Sequence, residues 1–332
     1  MGKTIYIFSA GELKRKENTV VFEGEDGRKF LPVETTDELM IFGEVSLNKR
    51  FLEFCTVSHV PLHFFNHHGY YQGSYSPREF LNSGATILAQ AACYLDHEKR
   101  VDIARRIVCG AMENMAVVLN YYRRRGNESL VSMLSNIESY KGKLDKSDSV
   151  AEIMGLEGNG REAYYSAFDH ITGGGPFAFD VRSRRPPQNR MNALISFLNS
   201  MCYVTALSQI YRTHLDPRIG FLHETNFRRF SLNLDVAEIF KPILVDRIIF
   251  SLINKKVIQA KHFEDGPSGG IYLQESGRKI VVSAWEERLQ QTIDHPRLKR
   301  KVSYRGLMRM EVHKLEKHIL GDQTYEPHIS GW

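Results

Sequence analysis

The strongest constraint on this chain is a change in hydrophobic period just after residue 75. Before it, apolar residues alternate in TIYIFS, LKRKENTVVF, KFLPV and ELMIFG, punctuated by Gly11, Gly24-Glu25-Asp26-Gly27 and Pro32. A helix is expected from Leu47 to Val57, and PLHFFNHHGYYQGSY reads as the last hairpin of the same sheet. The linker Ser74-Tyr75-Ser76-Pro77 follows, its proline pushing the preceding residue away from helical geometry. From Arg78 onward the period is about 3.6, in ATILAQAACYLDHEKR, IARRIVCGAMENMAVVLNYYRRR, ESLVSMLSNIESY, MNALISFLNSMCYVTALSQI and VAEIFKPILVDRIIFSLI. A length of 332 residues suits two domains of roughly 150 residues each. The expected fold class is α+β in two domains: a small N-terminal β-sheet or β-sandwich, residues 1–75, then a larger all-α domain, residues 76–332. Two segments interrupt the helices, the loop DHITGGGPFAFDVRSRRPPQNR and the hairpin pattern KHFEDGPSGGIYL.

Composition removes several classes. Hydrophobic residues are 42% of the chain and charged residues 25%, which is globular rather than disordered. The most apolar run, Ile107 to Tyr122, is interrupted by Glu113 and Asn114, short of the ~18 apolar residues of a membrane span. The opening MGKTIYIFSAGEL has no small-residue cleavage site. Cys55, Cys93, Cys109 and Cys202 are scattered without a C-x-x-C pair, so the expectation is a reduced, cytoplasmic protein with no membrane. No Walker loop, strand-borne G-x-G-x-x-G, G-x-S-x-G or H-E-x-x-H occurs, and Gly173-Gly174-Gly175 lacks a phosphate-binding lysine. His59, His63, His67 and His68 have no cysteine at zinc-ligand spacing.

Three segments carry chemistry. In SVAEIMGLEGNGREAYYSAF a helical pattern meets Gly155, Gly158 and Gly160 around Glu157; either one helix ends and another begins there, or something approaches the backbone closely. In HLDPRIGFLHETNFRRFSLNLDVAEIFKP a turn at Pro217 and Gly220 precedes His223, and Ser231 is placed to cap a helix from Leu232. Asp235 and Glu238 share a face of that helix near its positive end, and Pro242 removes the hydrogen bond to the Glu238 carbonyl. One imidazole with two or three carboxylates and no thiolate suits Mg²⁺ or Mn²⁺. The third element is charge. The net charge is only +5, but Arg182, Arg184, Arg185 and Arg190 cluster in the loop, and Arg297, Lys299, Arg300, Lys301 and Arg305 near the end. Each run is either a solvated face or a phosphate-binding patch.

In order along the chain, MGLEGNGREAYYSAF, FDVRSRRPPQNRMNALISFLNSMCY, LDPRIGFLHE, FSLNLDVAEIFKPILVDR and SYRGLMRMEVHKLEKHILG resemble the motifs of the CRISPR-associated endonuclease family, the integrase subunit of the spacer-acquisition complex. The opening IYIFSAGELKRKENTVVFE resembles the branch of type I, subtype B systems. The resemblance implies a divalent metal held by Glu157, His223 and Glu238, with Asp235 as an adjacent catalytic carboxylate. Other members often have Asp where this chain has Glu238, and Glu162 lies in the same segment as Glu157. It further implies attack of a prespacer 3′-hydroxyl on a phosphodiester of the CRISPR leader–repeat, with double-stranded DNA held by Arg182, Arg184, Arg185, Arg190, Lys299, Arg300 and Lys301. The implied partners are a second copy through the β domains, a small ferredoxin-like second Cas subunit, and an iron–sulfur accessory Cas nuclease. Two other readings use the same residues: a DNA-binding scaffold without catalysis, and a branched-DNA repair nuclease.

Overall fold

Short polar turns build the N-terminal strands into hairpins. In the computed structural model, which describes all residues except 1, 78–80, 82, 226–229, 267–268, 296 and 332, β2 (Gly11–Lys16) and β3 (Thr19–Gly24) pair antiparallel across Glu17-Asn18, with Glu17 at φ 54°. That left-handed residue gives a two-residue loop the twist that a hairpin needs. β4 (Gly27–Leu31) returns along β3 after Glu25-Asp26, and β6 (Val45–Leu47) joins the other edge parallel to β2, so the first sheet is ordered β4-β3-β2-β6. The second sheet takes β1 (Lys3–Ile7), β5 (Thr36–Ile41), β7 (Leu62–Phe65) and β8 (Tyr71–Tyr75) in the order β1-β5-β7-β8. Within it the β7–β8 pair is the antiparallel hairpin expected from PLHFFNHHGYYQGSY.

Leu13, Val20 and Phe22 of the first sheet and Ile7, Leu39, Ile41 and Leu62 of the second share one core with Phe51, Phe54 and Cys55 of α1 (Lys49–Val57). Burial of these alternating faces holds the two sheets together. The compact units divide between Asn82 and Ser83, after the last strand ends at Tyr75.

The second unit carries α2 (Gly84–Leu95), α3 (His97–Arg123), α4 (Val131–Lys141), α5 (Val150–Tyr165), α6 (Phe168–Thr172), α7 (Arg190–Ile210), α8 (Leu232–Phe240), α9 (Arg247–Asn254), α10 (Glu275–Gln290) and α11 (Tyr304–Ile319). It is not all α. The expected hairpin forms from β9 (Phe263–Asp265) and β10 (Ile271–Leu273), and a second forms from β11 (Thr292–His295) and β12 (Arg300–Ser303), where only a basic run was read. The segment ATILAQAACYLDHEKR is two helices: Asp96 is extended and its carboxylate accepts from Lys99 N, capping α3. A single apolar period cannot reveal such a break, because both helices keep it.

At the centre lies α7, long and apolar enough by length and composition to cross a membrane, yet 83% of that window is buried inside the fold. It packs on α8 and α11, while α3 packs on α4, α5 and α8. Between α8 and α9, Pro242–Asp246 form a π-turn in which Asp246 N donates to Lys241 O. Proline has no N–H to continue the α pattern, so the wider turn follows at the expected place.

Candidate active site

The fully buried Asp235 organises one side of the site. Its carboxylate accepts from the backbone N–H groups of Phe221, Leu222 and His223 at 2.5, 3.0 and 3.0 Å, and lies 2.8 Å from His223 Nδ1. One side chain thus ends the loop before α8 and fixes the imidazole, whose Nε2 is left for other work. Gly220 is required by the same contact: a Cβ there would stand 2.8 Å from the Ser231 carbonyl carbon and 2.9 Å from Asp235 Oδ2. Ser231 does not cap α8 as expected. Its hydroxyl accepts from Gly220 N at 2.8 Å and donates to Arg218 O at 2.6 Å, closing the loop on the helix. From the far side, Gln90 of α2 donates to Asp216 O and Ile219 O, and Arg100 of α3 donates to Phe221 O.

Glu238 lies one turn beyond Asp235, and both of its oxygens face cations. Arg161 Nη2 of α5 donates to Oε2 at 2.5 Å, and Lys241 Nζ bonds Oε1. Arg161 also reaches Glu157 Oε1 at 3.1 Å, so one guanidinium joins the carboxylates of α5 and α8. Burial alone would raise the Glu238 pKa; Lys241, Arg161 and His223 overcome it and pull it to about 2. Burial likewise opposes the charged form of His223, and Asp235 overrides it, raising the pKa above its ordinary value. Asp246, at the end of the π-turn, is buried beside the same cations, and desolvation pushes it up to about 7 against the pull of Arg161 and Lys241.

Among the described residues, no three His, Cys, Asp or Glu side chains are gathered as metal ligands. Glu157 and Glu238 are instead joined through Arg161, while His223 is fixed by Asp235 and is linked to Glu238 as an electrostatic neighbour. The donor set still fits a hard divalent cation. A carboxylate-oriented imidazole offers Nε2, and Glu157 and Glu238 offer oxygens now matched by Arg161 and Lys241. Arg161 and Lys241 were not singled out in the sequence; their only signal is spacing, four residues after Glu157 and three after Glu238. The helix α5 itself runs unbroken through its three glycines.

The basic residues divide into two kinds. Arg182 is spent on α7, donating to Asn192 Oδ1 at 2.9 Å and Ser196 Oγ at 3.0 Å, and Arg190 Nη1 donates to Pro176 O. Arg184 and Arg185 are exposed. Lys299, Arg300 and Lys301 are exposed on the β11–β12 hairpin, whereas Arg305 is buried and paired with Glu286 at 2.7 Å. Tyr164 and Tyr165 are buried among Phe168 and Phe179.

Residues 5–287 match the family model described as CRISPR associated protein Cas1. A CRISPR-associated endonuclease Cas1 of Thermodesulfovibrio yellowstonii is 53% identical over 332 residues, covering all of both chains. One from Thermotoga maritima is 50% identical over 323 residues, 97% of this chain and 98% of that one. The solved structure of a CAS1 protein from Thermotoga maritima superposes with a TM-score of 0.88 at 48% identity, covering 98% of this chain and 100% of that one. A casposase bound to integration product shares the fold at 19% identity, with a TM-score of 0.85 over 99% of this chain and 96% of that one.

Proposed function

The chain belongs to the CRISPR-associated Cas1 family, and from that premise we propose that it is a divalent-metal-dependent DNA endonuclease and integrase, inserting prespacer DNA into a CRISPR array by transesterification. The observation that supports this reading is the joining of Glu157 and Glu238 through Arg161, beside a His223 that Asp235 fixes and whose charge acts on Glu238. Glu157, His223 and Glu238 would hold Mg²⁺ or Mn²⁺, which when bound would supply charge neutralisation at a phosphodiester and a template for in-line attack. The chain's own part is positional: Asp235 keeps His223 in the tautomer with Nε2 available, while Arg161 and Lys241 balance the carboxylates. The nucleophile is the 3′-hydroxyl of the incoming strand, so no serine or cysteine nucleophile is needed.

Arg184 and Arg185, with Lys299, Arg300 and Lys301, hold double-stranded DNA through phosphates, giving register without base reading. We assign the chain to a cytoplasmic adaptation complex of the type I, subtype B kind. In it two copies pair through their β domains and join a small ferredoxin-like second Cas subunit, with an iron–sulfur Cas nuclease as accessory. Solved chains of similar fold include one in a Cas6-RT-Cas1–Cas2 complex, with a TM-score of 0.83 at 18% identity, covering 99% of this chain and 36% of that one.

The test is joining of a labelled 3′-hydroxyl duplex to a supercoiled plasmid bearing a leader and repeat, in Mn²⁺ or EDTA, with and without the small subunit. Wild type joins only with metal, and Glu157→Ala abolishes joining. Binding without joining in every condition overturns the catalytic reading in favour of a scaffold.

A further inference from the structure

The most apolar stretch of α3 encloses an amide. Asn114 is fully buried, and so are Ala111, Met115 and Val118 beside it on the helix. An apolar side chain is the ordinary occupant of such a position, because a buried amide is tolerated only when its polar atoms are paired. Those of Asn114 are paired with backbone from two other elements. Its Nδ2 donates to Ile239 O of α8 at 2.9 Å and to His328 O at 2.8 Å, while Oδ1 accepts from Ser330 N at 2.9 Å. One side chain therefore ties α3 to α8 and to the segment after α11.

Ile239 is the residue after Glu238, and the α-helical ladder fails at this turn. Pro242 has no N–H to give the Glu238 carbonyl, and the wider π-turn follows, with Asp246 N donating to Lys241 O. Lys241, which pairs with Glu238, stands in the same turn. Asn114 thus supplies a hydrogen bond from outside the helix where the helix itself has lost one. The segment after α11 fixes the direction of the amide and is itself well anchored. Pro327 packs over Gly110, Glu311 Oε1 accepts from the Tyr325 hydroxyl at 2.7 Å and from His328 N at 3.0 Å, and the His328 ring stacks on Phe240 of α8.

We propose that Asn114 is a positioning residue for Glu238, holding the turn that carries the carboxylate through Ile239 O, with Tyr325–Ser330 locking the amide. The inference rests on the metal-dependent reading and adds to it a buried residue of α3 that acts only through backbone. A ligand set must be held within about 0.5 Å of its working geometry, so slack in this turn weakens metal binding.

The experiment compares wild type, Asn114→Leu, a chain ending at Pro327, and Leu289→Ala, which opens the core at a fully buried position of α10. Tm is recorded for each. Well below the lowest Tm, hydrogen exchange of residues 239–246 is followed relative to α7 in the metal-free protein, and Mn²⁺ affinity is read from the electron paramagnetic resonance of free Mn²⁺. Asn114→Leu should speed exchange of 239–246 relative to α7 and weaken Mn²⁺ binding about tenfold, the scale of losing a group that orients a ligand. The shortened chain should shift both readings the same way, and Leu289→Ala should lower Tm and move neither. Mn²⁺ affinity within about twofold of wild type in the shortened chain, or in a folded Asn114→Leu, overturns the inference, since Asn114 then supports the fold alone. An equal loss of affinity in Leu289→Ala overturns it too. Where Asn114→Leu does not fold, the shortened chain decides by the same readings. A wild type that binds no Mn²⁺ overturns the metal-dependent reading itself, and the inference with it.

Discussion

At the scale of single residues, a buried carboxylate is worth what it accepts. Asp235 takes three backbone N–H groups and an imidazole, more than the one oxygen of an amide can satisfy. Asp235→Asn should therefore cost about 2–4 kcal/mol of stability, read as a lower urea midpoint, and should loosen His223 as well. A pH effect follows from another histidine. His328 stacks on Phe240, its Nε2 is enclosed without a partner, and burial holds its pKa down to about 4 from an ordinary 6.5. The unfolded chain takes up this proton first, so the contribution is complete above pH 6.5 and is lost as pH falls toward 4. Replacement by phenylalanine should remove on the order of 2 kcal/mol of that pH dependence, checked by Tm against pH for the two proteins. These roles were the least visible in the sequence. The sequence placed Asp235 on one face with Glu238, and the resemblance made it an adjacent catalytic carboxylate; its service to residues 221–223 appears only when the loop folds back.

At the scale of elements, periodicity placed most helices, and side-chain chemistry decided where they stop. Asp96 divides α2 from α3, and Pro242 widens the turn after α8, which leaves Lys241 against Glu238. Glycines separate into those that packing requires and those it does not. At Gly110 of α3 a Cβ would sit 2.6 Å from Pro327 Cβ, part of a stiff ring, so Gly110→Ala should destabilise the protein by about 1–3 kcal/mol in chemical denaturation. The same substitution at Gly158 meets open space. Sequence pattern cannot separate these cases, because the difference lies in a neighbour more than two hundred residues away for Gly110 and in the absence of one for Gly158.

For the whole molecule, a net charge of +5 matters less than where the free cations stand. Arg184→Ala with Arg185→Ala should lower DNA affinity and flatten the slope of log affinity against log salt by about 1–2, measured by fluorescence anisotropy at several salt concentrations. Arg182→Ala should act mainly through stability, because its guanidinium ties the loop to α7. The sequence by itself determined the β-then-helical order, the motif residues and the turn at Pro242, since period, proline and short-range spacing are local properties of the chain. Only the tertiary structure decided that Arg161 and Lys241 hold the two site carboxylates, that Asp235 serves His223, and that Arg305 is buried with Glu286. Those pairings set opposite charges from distant helices against each other in a desolvated interior, where partner choice follows packing rather than sequence neighbourhood.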